Sequence, residues 1–127
     1  MEEAEEVEYF FDTYAIVEII NQNPNYQKYI HKDVTITIFN LAEIYYAYLG
    51  QFDEERLQQI YNKYKEAVVE IEDETLKEAM KFRKNHKKKD ISYTDAIGYV
   101  YAQLHNMKFL TGDKEFEHME NVEFIKK

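Results

Sequence analysis

The stretch EYFFDTYAIV, residues 8–17, decides how this chain is read. An apolar and aromatic β-prone run is broken once, by Asp12, and then resumes with helical spacing in TYAIVEII. A short strand that ends on a carboxylate and passes directly into a helix belongs at the C-terminal edge of a parallel sheet, the edge where ligands bind in open α/β folds. The reason an acid should interrupt this run has to come from the rest of the chain.

Four further β-prone runs follow: VTITIF (34–39), VVEI (68–71), KFLT (108–111) and VEFI (122–125); with VEYFF (7–11) they make five short strand candidates. Between them lie segments of helical spacing: TYAIVEII and a short YQKYI, LAEIYYAYL with DEERLQQIYNKYKEA, DETLKEAMKFRKNHKKK with YTDAIGYVYAQLH, and finally KEFEHM. Strands alternating with helices predict crossover units, a parallel sheet and helices on both faces, a three-layer α/β/α fold. Asp53 and Asp73 read as helix N-caps, Ser92 with Asp95 as a capping box, and Pro24 as a turn after the first helix.

Length and composition set outer bounds. At 127 residues with 45% hydrophobic content, the chain is expected to be one domain spanning 1–127 with a single core. No apolar run reaches the roughly 18 residues a membrane helix needs. The start MEEAEEVE is acidic where a secretory signal would be basic and then apolar, so a cytoplasmic location is expected. The absence of cysteine excludes disulfides, thiolate zinc sites and a cysteine nucleophile, and suits a reducing compartment. There is no phosphate-binding loop of the G-x-x-x-x-G-K-S/T kind, and His31, His86, His105 and His118 have no mutual spacing that would make a metal site. A formal charge of −9 argues against broad duplex binding, which draws its affinity from cations. One basic patch, KFRKNHKKK (81–89), stands against that background, with six Lys or Arg in nine residues. It reads either as a solvated helix end or as a nucleic-acid contact through Lys81, Arg83, Lys84 and Lys87.

With 25 Asp and Glu residues, acidic patterns arise by accident, so position has to discriminate. Asp12, Glu43 in FNLAEIYYAYL, Asp95 in ISYTDAIGYV and Asp113 in FLTGD are embedded in apolar sequence near strand-to-helix junctions. Each also admits a structural role: Asp12 and Asp113 as N-caps, Asp95 as half of a capping box, Glu43 on a half-exposed helix face. Periodicity does not reveal strand order, so both readings stand. If the four converge, two carboxylates about 4 Å apart repel by roughly 4 kcal/mol at an effective dielectric of 20, and a divalent cation removes that cost. An all-oxygen donor set suits a hard ion, Mg²⁺ or Mn²⁺.

Taken together, these segments resemble the PIN-domain ribonucleases, and among them the small VapC-type toxins of toxin–antitoxin modules. The resemblance runs from about residue 7 to residue 125 and rests on FFDTYAIVEII, TITIFNLAEIYYAYLG, ISYTDAIGYVYAQ and FLTGDKEFEHMENVEFI. The last two, in this order and separation, are its most specific part. It implies a five-stranded parallel sheet of order 3-2-1-4-5, which sets strands one and four side by side. It implies that Asp12, Glu43, Asp95 and Asp113 form a Mg²⁺ or Mn²⁺ site for RNA hydrolysis leaving a 5′-phosphate and a 3′-hydroxyl. Thr13, Ser92 and Thr111 would support that site. The partners implied are an RNA substrate, a VapB-type antitoxin peptide and a second copy in a homodimer. The chain departs from the family pattern at Asn40, where the residue three before the helix glutamate is often Ser or Thr; Asn also caps helices.

Twelve tyrosines are many for this length, and five of them fall in EIYYAYLG and IYNKYKEA. They read either as an antitoxin groove or dimer face, or as a Tyr-rich core rim. Two rival functions follow from the same residues. A non-catalytic PIN-like module binding RNA or protein would use the acids only as caps. A phosphoacceptor domain would need an adjacent acid pair after the first strand, which FFDTY lacks.

Overall fold

The computed structural model describes residues 6–126. Residues 1–5, which carry most of the acidic start, and residue 127 lie outside the described residues. The element order is β1 (Tyr9–Phe11), α1 (Thr13–Ile20), a 3-10 helix (Pro24–Tyr29), α2 (Ile38–Tyr48), α3 (Glu54–Lys65), α4 (Asp73–Asn85), α5 (Tyr93–Leu104), β2 (Lys108–Thr111), a 3-10 turn (Lys114–Phe116) and β3 (Val122–Phe124).

The sheet is parallel and runs β1-β2-β3. Phe10 pairs with Phe109, and Phe11 with Leu110. Because side chains alternate across a strand, these pairs face opposite ways. Phe11 and Leu110 join Ala15, Ile16, Leu41, Ile44 and Leu57 in one core under α1, α2 and α3. Phe10 and Phe109 join Ala79, Ile97, Val100 and Phe116 in a second core under α4 and α5. All four strand side chains are fully buried, each worth about 1.5–3 kcal/mol. Adjacent residues thus serve two cores, and the helices cover both faces.

Three strands, rather than the expected five, form the sheet among the described residues. The runs 34–39 and 68–71 are reduced to a single parallel bridge, Ile36 to Val68. Phe11 N–H donates to the Thr35 carbonyl at 3.0 Å, and Val69 N–H to the Ile36 carbonyl at 2.9 Å. These three are the first, fourth and fifth of the expected strands, adjacent in that order; the second and third runs build no ladder that would extend it to 3-2-1-4-5. The reason is local: Thr37 and Asn40 form a capping box that turns the chain into α2 at Ile38, cutting the VTITIF run short. Residues 67–69 follow directly on the end of α3, which leaves little length for a ladder.

Smaller expectations differ too. Asp73 is the first residue of α4 rather than its cap; Glu72 holds the cap position without a side-chain bond, and Asp73 and Glu74 face the helix dipole from the first turn. YQKYI belongs to the 3-10 helix that opens with Pro24, and KEFEHM shortens to the 3-10 turn. Asp53 caps α3, accepting from the Arg56 N–H at 2.8 Å, and Ser92 with Asp95 boxes α5.

Gly98 explains how α5 reaches the sheet. A Cβ built there would lie 2.6 Å from Phe10 Cε1 and 3.2 Å from Phe109 Cε1, so the helix packs against β1 and β2 only with no side chain at this position. That close approach brings the first turn of α5, with Asp95, toward the end of β1. No helix among the described residues is long and apolar enough to cross a membrane.

Candidate active site

Asp12 stands where β1 gives way to α1. Its N–H donates to the Leu110 carbonyl at 3.0 Å, and its carbonyl accepts from the Ile16 N–H at 3.1 Å, which locks the backbone to both elements. It occupies the N-cap position of α1, yet its side chain caps nothing. The carboxylate, 3% exposed, instead accepts a hydrogen bond from the Thr111 hydroxyl at 2.7 Å. The carboxylate also meets the Thr13 backbone at the start of α1, without making the side-chain cap bond expected of it.

Thr111 ends β2 and is fully buried. Its hydroxyl donates to Asp12 and accepts from the Asp113 N–H at 3.0 Å, so one side chain ties the loop carrying Asp113 to the carboxylate on the neighbouring strand. Asp113 is half-buried and accepts from the Glu115 N–H at 3.0 Å, capping the 3-10 turn. The Gly112 between them is required by packing. A Cβ there would meet Tyr14 Cε1 at 2.3 Å and the Tyr26 hydroxyl at 2.6 Å.

Asp95 does perform the capping expected of it: Oδ2 accepts from the Ser92 N–H at 3.2 Å, and its own N–H donates to Ser92 Oγ at 3.0 Å. Glu43 projects from α2 and accepts from the Thr13 hydroxyl at 2.6 Å. That hydroxyl accepts from Asn40 Nδ2 at 3.0 Å, and Asn40 Oδ1 accepts from both the N–H and the hydroxyl of Thr37 at 2.9 Å. Asn40 is therefore no cap itself. It sits in the third position of α2, buried, completing the box of Thr37 and holding Thr13 against Glu43.

Like charge acts between these acids in pairs, on Asp12 from Asp95 and Asp113, and on Asp95 from Asp113 and Glu43. Burial pushes the Asp12 carboxyl well above the ordinary carboxylate range, and the Asp95 charge pushes it further; the Thr111 bond opposes them, and Asp113 adds to the rise. Asp95 is raised chiefly by burial, against its bonds to Ser92, with Asp113 and Glu43 adding like charge. None of the four takes part in either ion pair found among the described residues, Lys81–Glu78 and Lys89–Glu115. Unneutralised negative charge thus gathers at the C-terminal end of β1 and β2.

The donor set consists of carboxylate and hydroxyl oxygens, which fits a hard divalent cation. Among the described residues, however, no group of three or more His, Asp or Glu side chains is arranged to hold a metal ion as it stands. The acids are close enough to feel one another without closing into a ligand shell.

The basic residues fall elsewhere. Lys81, Arg83 and Lys84 lie on the last turns of α4, and Lys87 lies just beyond it. Lys81 pairs with Glu78 at 3.3 Å. Arg83 Nε donates to the Ile91 carbonyl at 2.9 Å, and its guanidinium lies 4.0 Å over the Tyr93 ring. The tyrosines divide: Tyr48 and Tyr64 are buried core, whereas Tyr46 is 79% exposed and lines an open groove of about 580 Å³ between α2 and α3 with Ile38, Tyr45, Leu49 and Tyr61.

Two features escaped the sequence reading. Gly112 carried no signal beyond its place between Thr111 and Asp113. Glu18, an acid inside the apolar AIVEII, is buried on α1 and accepts from Asn23 Nδ2 at 2.8 Å; that isolated acid was the available sign.

Comparison with known proteins bears on the fold that carries these residues. The PIN domain family model matches residues 9–122, and the chain belongs to that family. Among solved structures, the fold is similar to a chain of a toxin–antitoxin complex from Klebsiella pneumoniae (TM-score 0.73, 18% identity, covering 91% of this chain and 95% of that one). It is similar also to a chain of VapBC2 from Rickettsia felis bound to a DNA fragment from their promoter (0.70, 19%, 94% and 98%). DNA-bound VapBC from Salmonella typhimurium aligns comparably (0.70, 15%, 94% and 97%). No curated protein matches the chain significantly in sequence.

Proposed function

We propose that the chain is a metal-dependent endoribonuclease, the toxin of a VapBC-type module, using Mg²⁺ or Mn²⁺ at Asp12, Glu43, Asp95 and Asp113. The observation that carries this reading is Asp12: a buried carboxylate that caps no helix, carries no ion pair among the described residues and faces the charge of two other acids. A fold alone has no use for that arrangement, since it costs stability.

In this reading Asp12 and Asp113 are the principal ligands, held in register by the Thr111 hydroxyl between them. Asp95 contributes directly or through water. Glu43, steadied by Thr13 and Asn40, orients the attacking water and accepts its proton on a lone pair that Thr13 leaves free. The metal, when bound, lowers the pKa of that water and stabilises charge on the phosphoryl and leaving oxygens. Purified protein incubated with structured RNAs, with and without EDTA and beside Asp12→Asn, tests the proposal. Metal-dependent cutting by the wild type alone supports it, and equal cutting by the variant refutes it.

The α2–α3 groove supports a peptide partner, because it joins exposed apolar area to tyrosine hydroxyls. A VapB-type antitoxin would lay an apolar segment there and reach the acids with a basic side chain, Arg being best suited to carboxylates. Occupation by a second copy instead would give a homodimer, which size measurement at micromolar concentration detects. The rival, a non-catalytic module, draws support from the caps that Asp95 and Asp113 do form. It predicts no metal-induced rise in melting temperature, whereas a site filled at about a hundred times its Kd gains about 2.7 kcal/mol.

A further inference from the structure

Beyond the last turn of α4, the residues Arg83, Lys84, Lys87, Lys89 and Ile91 line an open pocket of about 300 Å³. Four of its five lining residues are cations, and no carboxylate lines it. This is unusual for a chain of charge −9. The helix dipole accounts for Arg83 and Lys84, which lie in the last turn. It does not account for Lys87 and Lys89, which lie past the C-cap His86, where the dipole has faded. Lys89 reaches Glu115 at 3.9 Å, while Arg83, Lys84 and Lys87 have no ion-pair partner among the described residues.

The pocket adjoins the candidate active site at two points. Ile91 directly precedes the Ser92–Asp95 capping box, and Arg83 is fixed there by its bond to the Ile91 carbonyl and its stacking on Tyr93. On the other side, Lys89 Nζ donates to the Glu115 carbonyl at 3.4 Å, and the Glu115 N–H is the one that holds Asp113. Tyr93 itself is 59% exposed and offers a ring surface beside the cations.

We propose that this pocket is a phosphate subsite for the substrate strand: Lys84 and Lys87, braced by Arg83 and Lys89, hold a backbone phosphate flanking the scissile one, with Tyr93 placed to stack a base. The assignment rests on the ribonuclease reading and names where its substrate lies. A cationic groove with an adjacent aromatic surface matches a single strand, whose phosphates and base faces it meets together. It also resolves how an acidic protein approaches a polyanion. The strand is anchored on the basic pocket while the acids wait for their cation.

The test measures binding without cleavage. Asp12→Asn protein in EDTA is titrated with a labelled 12-nucleotide single-stranded RNA at several salt concentrations, with and without Lys84→Gln/Lys87→Gln. Both lysines are exposed, so the pair should keep its melting temperature. The double change is expected to lower affinity and to reduce the salt slope by about 0.7, the value for one single-strand phosphate no longer neutralised. Lys63→Gln/Lys65→Gln on α3, an equal change of charge, should leave the slope nearly unaltered. Inorganic phosphate at matched ionic strength should not displace the strand. An unchanged slope, an equal loss from the α3 pair, displacement by inorganic phosphate or no RNA binding would each overturn the assignment. Because hydrolysis plays no part in this measurement, failure here is distinct from failure of wild-type protein to cut RNA.

Discussion

Replacing Asp12 by Asn should make the metal-free protein more stable while removing its activity. Asn keeps a carbonyl oxygen to accept the Thr111 hydroxyl, so that hydrogen bond survives. What disappears is a charge that is 3% exposed and that lies within the fields of Asp95 and Asp113. Like-charge repulsion between carboxylates is about 4 kcal/mol at 4 Å with an effective dielectric of 20, and falls with distance. Part of that relief is lost because the new amide NH₂ must find a partner in a buried site. The net gain should be on the order of 1–2 kcal/mol, in keeping with the usual effect of relieving a functional site. For a chain of this size that is about 3–8 °C in Tm.

The gain must also depend on pH in a defined direction. The Asp12 pKa is raised in the folded state, so between the ordinary carboxyl value near 4 and the raised value the folded protein holds a proton that the unfolded chain has released. Wild-type stability therefore falls as pH rises through that window, and the variant lacks this fall. The advantage of Asp12→Asn should be absent at low pH, grow through the window and stay constant above it. Urea denaturation in EDTA across pH 4–8 measures it. An Asn variant less stable than wild type at pH 8, or an advantage flat across pH, would refute the claim that Asp12 is a strained, unneutralised charge.

Three further outcomes follow from the same geometry. Thr111→Val removes the bond that holds the Asp12 pKa down, so the acidic limb of the pH–rate profile should move to higher pH; an unmoved limb would separate Asp12 from catalysis. Asn40→Ala leaves the buried Thr37 amide without its acceptor and frees Thr13, costing about 1–3 kcal/mol by urea denaturation and lowering kcat more than it raises KM; a loss under about 0.5 kcal/mol would deny Asn40 that role. Gly98→Ala drives a methyl into the Phe10 ring and should cost about 1–3 kcal/mol; a neutral effect, measured as a Tm equal to wild type, would show that α5 can move off the sheet freely.

Much of the local structure could be read from the sequence because its causes are local. KFLT coincides with β2, the Ser92–Asp95 box starts α5, and Asp53 caps α3, each set by a few neighbouring residues. The same locality misled where two local signals compete: VTITIF is β-prone, but Thr37 with Asn40 ends the extended stretch early, and Asp73 meets the helix dipole from inside α4 rather than capping it. The break at Asp12 and the family pattern were legible in the same way, as residue types in order.

What no run of residues contains is which acids feel one another: Asp12 lies in the field of Asp95 and Asp113, and Asp95 in that of Asp113 and Glu43. The pairing of Phe11 with Leu110 sets Asp12 beside Thr111, and the bare Cα of Gly98 lets α5 settle on Phe10 and Phe109, carrying Asp95 inward. Strand pairing and helix approach are long-range packing outcomes, chosen by which apolar faces fit together, and periodicity records only that such faces exist. The carboxylates were visible as letters; the burial that raises the Asp12 and Asp95 pKa values, and the neighbouring charge that adds to it, exist only once two cores on opposite faces of one sheet have closed.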